Sequence, residues 1–360
     1  MSWEAQRARF PVLETRAYLN AGSAGPLARE TLDAMDAVRR REALEGRSGQ
    51  QVFDEMFATR DRVRALLAAE IGVPTESVAL TSSTTQGVQV AVVGLGIGPD
   101  DEVVTTDAEH FGLTGPLLGA GVSLRIAKLR GLSSAEIFDA IRSLITPRTR
   151  LIALSAVSWV DGFVMPWERL REETGVPVLV DGAQSVGAVP VDASAADFYT
   201  VSGQKWLCGP DWTGALYVRE PDALPARLVS YPSAASYDIA AGTWEPRPGA
   251  LRLDPGFMPG GSLAGLEATL TTMPAGRFER ARELTDRCVE LLAGAGVEVV
   301  SEPGQATLVS FRPRGDATAL VAALHEQGVV VREIPNTGLV RASVGWWNNE
   351  EDIARLASGV

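Results

Sequence analysis

Cysteine, histidine and lysine are each nearly absent from this chain. Of 360 residues two are Cys and two are His, and Lys128 and Lys205 are its only lysines. Two cysteines, Cys208 and Cys288, build neither a disulfide framework nor a thiolate metal site, and so low a thiol content fits a reducing, cytoplasmic setting. With His110 and His325 alone, a histidine-dependent hydrolase or a multi-histidine metal centre is disfavoured, since each imidazole would serve nearly unaided; no metal is expected. Positive charge is also short. Lys and Arg number 33 against 45 Asp and Glu, a formal net charge of -12, so the surface on average repels nucleic-acid phosphates and anionic membranes, and neither is an expected partner. No apolar run approaches the roughly 18 residues of a membrane helix. The longest, 88–97, is short and broken by glycine, and MSWEAQRARFPVLE lacks the apolar stretch of a secretion signal.

What is present is an ordinary globular composition, 46% apolar and 22% charged, in a chain long enough that its core is expected to divide in two. Between about residues 75 and 220, short β-rich runs alternate with amphipathic stretches: 77–83, 101–106, 122–128, 150–158, 176–183, 197–202 and 214–220, with helical patterns at 134–144 and 167–174 among them. That rhythm predicts crossover helices on a largely parallel sheet. After Pro255 the pattern becomes a long helical stretch over 263–295, then runs at 297–301, 307–313, 329–334 and 340–345 with helices at 317–326 and 349–357, a smaller α+β unit. Segment 231–255, rich in Ala, Gly and Pro, reads as connecting loop.

The strongest local signal is SGQKWLCGP (202–210), where Lys205 follows an apolar run in a chain whose cations are otherwise almost all arginine. Taken alone, it is equally a strand-end ammonium or an amine kept because arginine cannot shed its proton to form a Schiff base. VLVDGAQSVG (178–187) tips the balance: Asp181 ends an apolar run, at the carboxyl edge of a parallel sheet where ligands bind, one run away from Lys205. A lysine amine for an aldehyde and a carboxylate for a pyridinium nitrogen are the pair that pyridoxal 5'-phosphate (PLP) requires. TSSTTQG (81–87) adds a phosphate cradle, a strand followed by hydroxyls at the head of an apolar helix, with Thr85 in reach of a dianion.

The order of TSSTTQG, AEHFG, VLVDGAQS and SGQKWLCGPDWTGALYV resembles the fold-type I PLP enzymes of aminotransferase class V, among them cysteine desulfurases, isopenicillin N epimerase-like proteins and carbon–sulfur lyases. The likeness runs from YLNAGSAGP (18–26) to VRASVGWWNNEEDI (340–353). It implies a PLP-transferase fold of α/β class, with a mostly parallel central sheet and flanking helices in a large domain, 18–250, and a smaller α+β domain built from 1–17 and 251–360. It implies that Lys205 holds the cofactor as a Schiff base and moves protons, that Asp181 pairs with the pyridine nitrogen, and that His110 lies against the ring. Thr84, Thr85, Ser202 and Gln204 match phosphate contacts, and Gln184 matches a residue near the phenolic oxygen. Arg341 matches the arginine that grips a substrate α-carboxylate, and Asn20, Ala21 and Gly22 match a loop that reaches the substrate. A homodimer is implied as well.

Three departures shape the expected reaction. Gln204 stands where many members carry histidine. DPGFMPGGS (254–262) puts Phe257 where a neighbouring subunit often supplies a phosphate-binding threonine, with Ser262 as the available substitute. No cysteine precedes Arg341 in VREIPNTGLVR (331–341), and Cys208 and Cys288 read as packed residues, so the persulfide route of cysteine desulfurases lacks its nucleophile. The leading expectation is a β-elimination carbon–sulfur lyase acting on a cysteine-derived amino acid, with class V transamination or amino-acid epimerisation next. A non-catalytic PLP-fold binding protein is a further alternative, disfavoured because Lys205 and Asp181 are both present. A nicotinamide-binding fold is weaker still, since no G-x-G-x-x-G opens a helix. His325 reads as a solvated surface residue, and Trp159, Trp346 and Trp347 as either pocket walls or core.

Overall fold

The computed structural model describes residues 1–129 and 132–360. In chain order its strands are β1 (Ala17–Tyr18), β2 (Val78–Thr81), β3 (Glu102–Thr106), β4 (Ser123–Ala127), β5 (Thr149–Ser155), β6 (Val178–Asp181), β7 (Phe198–Ser202), β8 (Gly214–Val218), β9 (Ala234–Asp238), β10 (Thr243–Pro246), β11 (Glu298–Val299), β12 (Leu308–Arg312), β13 (Val329–Val330), β14 (Arg332–Ile334) and β15 (Leu339–Ser343). Its helices are α1 (Trp3–Arg7), α2 (Arg29–Glu45), α3 (Gln50–Glu70), α4 (Thr84–Leu95), α5 (Phe111–Gly119), α6 (Ser134–Arg142), α7 (Trp167–Thr174), α8 (Gly260–Thr271), α9 (Arg277–Gly294), α10 (Ala317–Glu326) and α11 (Glu350–Ser358).

The apolar runs form a seven-stranded sheet in the order β2-β8-β7-β6-β5-β3-β4. β3 to β7 are parallel, and β8 runs against β7 and β2. Every residue of β2, β3, β6, β7 and β8 is buried, as expected of strands covered on both faces. Alternation sorts the two layers: Val178 and Val180 enter the core beneath α3 and α6, while Leu179 enters the one beneath α4 and α5. The parallel strands therefore bring Thr106, Ser155, Asp181 and Ser202, the last residues of β3, β5, β6 and β7, to one rim.

The C-terminal third forms a second, antiparallel sheet, β11-β12-β15-β14, over α9, α10 and α11. The N-terminal segment joins it: β1 pairs with β13, and Leu19 lies in the same core as Val340 and Ile353. The fold is a mixed α/β architecture, a seven-stranded sheet with flanking helices beside a smaller α+β unit.

Three elements differ from the sequence expectation. The helix over 263–295 is two helices, because Pro274 cannot donate a backbone hydrogen bond and Gly276 turns left-handed at φ 74. The run at 329–334 is two strands, since Val329–Val330 pairs with β1 and Arg332–Ile334 with β15. The supposed loop 231–255 contains the hairpin β9–β10, bulged at Glu245 and Pro246. No helix among the described residues is long and apolar enough to cross a membrane.

Candidate active site

The chain leaves β7 at Ser202 and returns as β8 at Gly214, and the turn between is knotted by its own backbone: Gly203 N donates to Thr213 O (2.8 Å), Gly209 N to Gly203 O (2.8 Å) and Cys208 N to Lys205 O (2.9 Å). This fixes Lys205 at the rim. Among the described residues its amine has no hydrogen-bond or ion-pair partner. Burial pulls its pKa down to about 8, with Arg341 and Arg332 pulling the same way and Asp181 opposing.

Asp181, 2% exposed, ends β6 in register with Thr200 of β7. Its Oδ1 accepts Ala183 N at 2.9 Å and Thr200 Oγ1 at 3.4 Å. Its Oδ2 takes no hydrogen bond from the described residues, so one oxygen is left for a ligand. His110 caps α5, its Nδ1 accepting Gly112 N at 3.0 Å, and its ring meets Trp159 edge-on at 5.2 Å. Burial and then the nearby Lys205 lower the imidazole pKa, which favours the neutral ring.

The heads of α4 and α5 meet beside it. Ser83, rather than either threonine, is the N-cap of α4, accepting Gln86 N at 3.2 Å. Thr84 and Thr85 thus open the helix with N–H groups that have no intrahelical partner. A groove of about 620 Å³ lined by Thr85, His110 and Phe111 runs between the two helices. Ser202 Oγ donates to Gln204 Oε1 at 2.8 Å, which leaves the Gln204 amide N–H groups free to donate.

Gln184 bridges two loops: its Oε1 accepts Trp206 Nε1 at 2.9 Å and its Nε2 donates to Gly22 O at 2.9 Å. The segment from Asn20 to Gly25 lies directly on the lysine turn. Asn20 bridges to Ser343, Ala21 is fully buried, and Gly25 N donates to Gln204 O at 2.8 Å. Glycine is required at this approach, because a Cβ on Gly25 would stand 2.0 Å from Lys205 O, and one on Gly22 would stand 2.6 Å from Arg341 Nη2.

Arg341 is 0% exposed. Its Nη1 donates to Trp159 O at 2.5 Å, while among the described residues Nε and Nη2 are sealed without a partner. Burial and the like-charged Arg332 depress its pKa to about 9; a guanidinium keeps its proton, so the unmet demand is for an anion. Arg332 is its register partner across β14 and β15; its Nη1 donates to Ser23 Oγ at 3.1 Å and its guanidinium stands 5.8 Å over the Trp159 ring.

Lys205, Asp181, His110, Thr84, Thr85, Gln184, Ser202, Gln204, Arg341 and the Asn20–Ala21–Gly22 loop thus converge on one rim. Phe257 and Ser262 are not joined to that cluster. Phe257 lies against Tyr231 and Phe57 with 46% of its surface exposed, and Ser262 is buried in α8. Trp346 and Trp347 pack with Phe10 and Trp3. His325 is exposed. Cys208 and Cys288 are buried, and burial pushes both thiols up. Sequence reasoning passed over Arg332 and Glu109. Arg332 is betrayed only by strand register, and Glu109 only by standing before His110 in AEHFG.

The donor set fits PLP. There is an amine without a partner, a carboxylate with one oxygen free, hydroxyl and N–H donors for a dianion at a helix head, and guanidinium nitrogens awaiting an acceptor. A family model for aminotransferase class V matches residues 17–356. The chain belongs to aminotransferase class V. This class V chain is 30% identical over 401 residues to isopenicillin N epimerase of Streptomyces clavuligerus, covering 99% of this chain and 97% of that one. It is 28% identical to cysteine desulfurase of Klebsiella pneumoniae, covering 100% and 97%. Among solved structures it is similar to the cystine C–S lyase C-DES in complex with its reaction product cysteine persulfide, at TM-score 0.88 and 26% identity over 97% of this chain and 99% of that one. A C-DES mutant with glycine covalently linked to its PLP cofactor matches at TM-score 0.88 and 26% identity, over 98% of each chain. The class V protein described here is a PLP-dependent enzyme related to cysteine desulfurases and epimerases.

Proposed function

We propose that this enzyme is a carbon–sulfur lyase that eliminates a sulfur-containing group from Cβ of a cysteine-derived amino acid without a catalytic cysteine. The observation that carries the reading is the state of its thiols. Cys208 is 1% exposed and Cys288 0%, and desolvation keeps both protonated, so neither is a nucleophile facing the cleft. The relatives named as desulfurases and as a C–S lyase support a sulfur-containing amino acid as the substrate.

Residues suited to each task stand at the rim. Thr84, Thr85, Ser202 and Gln204 would hold the phosphate, Asp181 Oδ2 would keep a proton on the ring nitrogen, and His110 would cover one ring face. When bound, PLP supplies the electron sink that lets a bond at the substrate Cα break. Arg341 receives the substrate carboxylate through Nε and Nη2, a fork matched to two oxygens. Arg332 adds a second positive charge to the same space. Lys205 Nζ, whose pKa burial brings down to about 8 and so closer to that of a usable base, accepts the proton from Cα and returns one to the departing sulfur. The Asn20–Gly25 segment, packed on Arg341 and the lysine turn, excludes water.

The test is release of pyruvate and ammonia from cysteine conjugates or disulfides, with Cys208→Ser retaining activity. A protein that shows the bound-cofactor absorbance but yields no pyruvate from any such compound overturns the lyase reading. The epimerase relative favours one alternative: solvent deuterium at Cα without elimination identifies epimerisation, and accumulation of pyridoxamine phosphate identifies transamination.

A homodimer is part of the same proposal. It is supported by exposed aromatic side chains, Phe111 at 73%, Trp212 at 66% and Tyr231 at 55%, which a second copy would cover. A cytoplasmic location is proposed from the two unpaired cysteines.

A further inference from the structure

Glu109 takes no part in the scheme above, yet three donors hold its carboxylate. Oε1 accepts Thr106 Oγ1 at 2.7 Å, and Oε2 accepts Ser155 N at 2.9 Å and Ser155 Oγ at 2.6 Å. Thr106 ends β3; Ser155 ends β5 and is the direct register partner of Asp181 on β6. One side chain therefore ties the turn that carries His110 to the strand end beside Asp181. A neutral amide would serve as a tie, but here the tie is an acid, half-buried between the ends of β3 and β5. Burial raises its pKa to about 7, and the neighbouring Asp181 charge adds to the rise. Lys205 after β7, Arg332 on β14 and Arg341 on β15 are the other charged groups about Asp181 and the titratable ring of His110. Asp181 is the one that acts on Glu109.

We infer that Glu109 is a positioning residue that fixes His110 against the end of β5 and places a second negative charge behind Asp181, so that the proton affinity of the bound cofactor depends on a carboxylate that does not touch it. The inference rests on the reading of Asp181 and Lys205 as cofactor residues.

The experiment is a spectrophotometric pH titration of the visible band in PLP-loaded protein, with cofactor affinity measured in parallel. In Glu109→Gln the midpoint falls by about 0.5 pH unit, roughly threefold in proton affinity, because a nearby negative charge is gone. Glu109→Asp keeps the charge and holds the midpoint near wild type, while its shorter reach to Ser155 lowers the melting temperature. Ser155→Ala removes one donor from Oε2 and raises the Glu109 pKa, which keeps that carboxyl neutral to higher pH and so moves the midpoint downward, in the same direction as Glu109→Gln; it decides the matter if Glu109→Gln does not fold. An unmoved midpoint in Glu109→Gln with only weakened cofactor binding, or an unmoved step in Ser155→Ala, overturns the inference and leaves a structural tie. A visible band that survives in Lys205→Ala overturns the reading of the cofactor residues instead.

Discussion

An amine that attacks an aldehyde must first lose its proton, and in the role proposed for Lys205 burial favours that loss by bringing its pKa to about 8. Cofactor uptake by the apo-protein is therefore expected to quicken as pH rises through about 8 and then level off, and Lys205→Ala to show no visible band; stopped-flow absorbance checks both. Arg341 has two sealed, unpartnered nitrogens, so Arg341→Ala is expected to raise KM for a carboxylate-bearing substrate by about 100-fold while leaving the cofactor band in place, the loss expected of a charge-assisted pair. Glu109 contributes in the opposite sense. Its folded pKa of about 7 lies above the ordinary 4.5, so the folded state holds the proton more tightly. Its contribution to stability is full below about 4.5 and declines as pH rises to about 7. Urea unfolding of the apo-protein at the two ends of that window should show a smaller decline in Glu109→Gln than in wild type. Equal declines would contradict this. Lys205 and Asp181 stand out in the sequence as candidates because Asp181 ends an apolar run, Lys205 follows one and lysine is scarce. Arg332 does not, because its place opposite Arg341 is a matter of register, which no local pattern encodes.

At the scale of elements, the edge of the large sheet is secured by charge. Asp254 is 1% exposed and accepts from Arg60 Nη2 at 2.6 Å, from Arg64 at 2.8 and 3.1 Å, and from Leu80 N at 2.7 Å, pinning α3 to β2. Two buried guanidinium groups share that one carboxylate. Asp254→Asn leaves them uncompensated and is expected to cost about 3–5 kcal/mol in denaturant unfolding. The glycine at the crossing of the N-terminal segment and the lysine turn gives a second test. With a Cβ due 2.0 Å from Lys205 O, Gly25→Ala must shift the backbone that carries the lysine, and cofactor affinity is expected to fall about tenfold or more by equilibrium dialysis, as misplaced site groups are costly. The strands of the large sheet were readable because double burial leaves unbroken apolar runs. The β9–β10 hairpin was not, since Ala, Gly and exposed polar residues mask the alternation, and the helix expected over 263–295 is two helices because Pro274 breaks it.

At the scale of the whole molecule, the family and the cofactor were legible from four short motifs in order. The identity of the substrate was not, because the cleft is lined by segments as far apart as Gly22, Trp159 and Arg341. If a second copy covers Phe111 and Trp212, sedimentation should report twice the chain mass of 38.2 kDa, and charged substitutions at both positions should return the monomer. The scarcity of lysine has a practical corollary. Lys128, with 77% of its side chain exposed, follows the edge strand β4, three strand spacings or ~14 Å from the end of β6. In the loaded enzyme it is the one lysine open to an amine-reactive dye, and a fluorophore placed there becomes an optical ruler, its energy transfer to the cofactor reporting each change in the cofactor's colour during turnover.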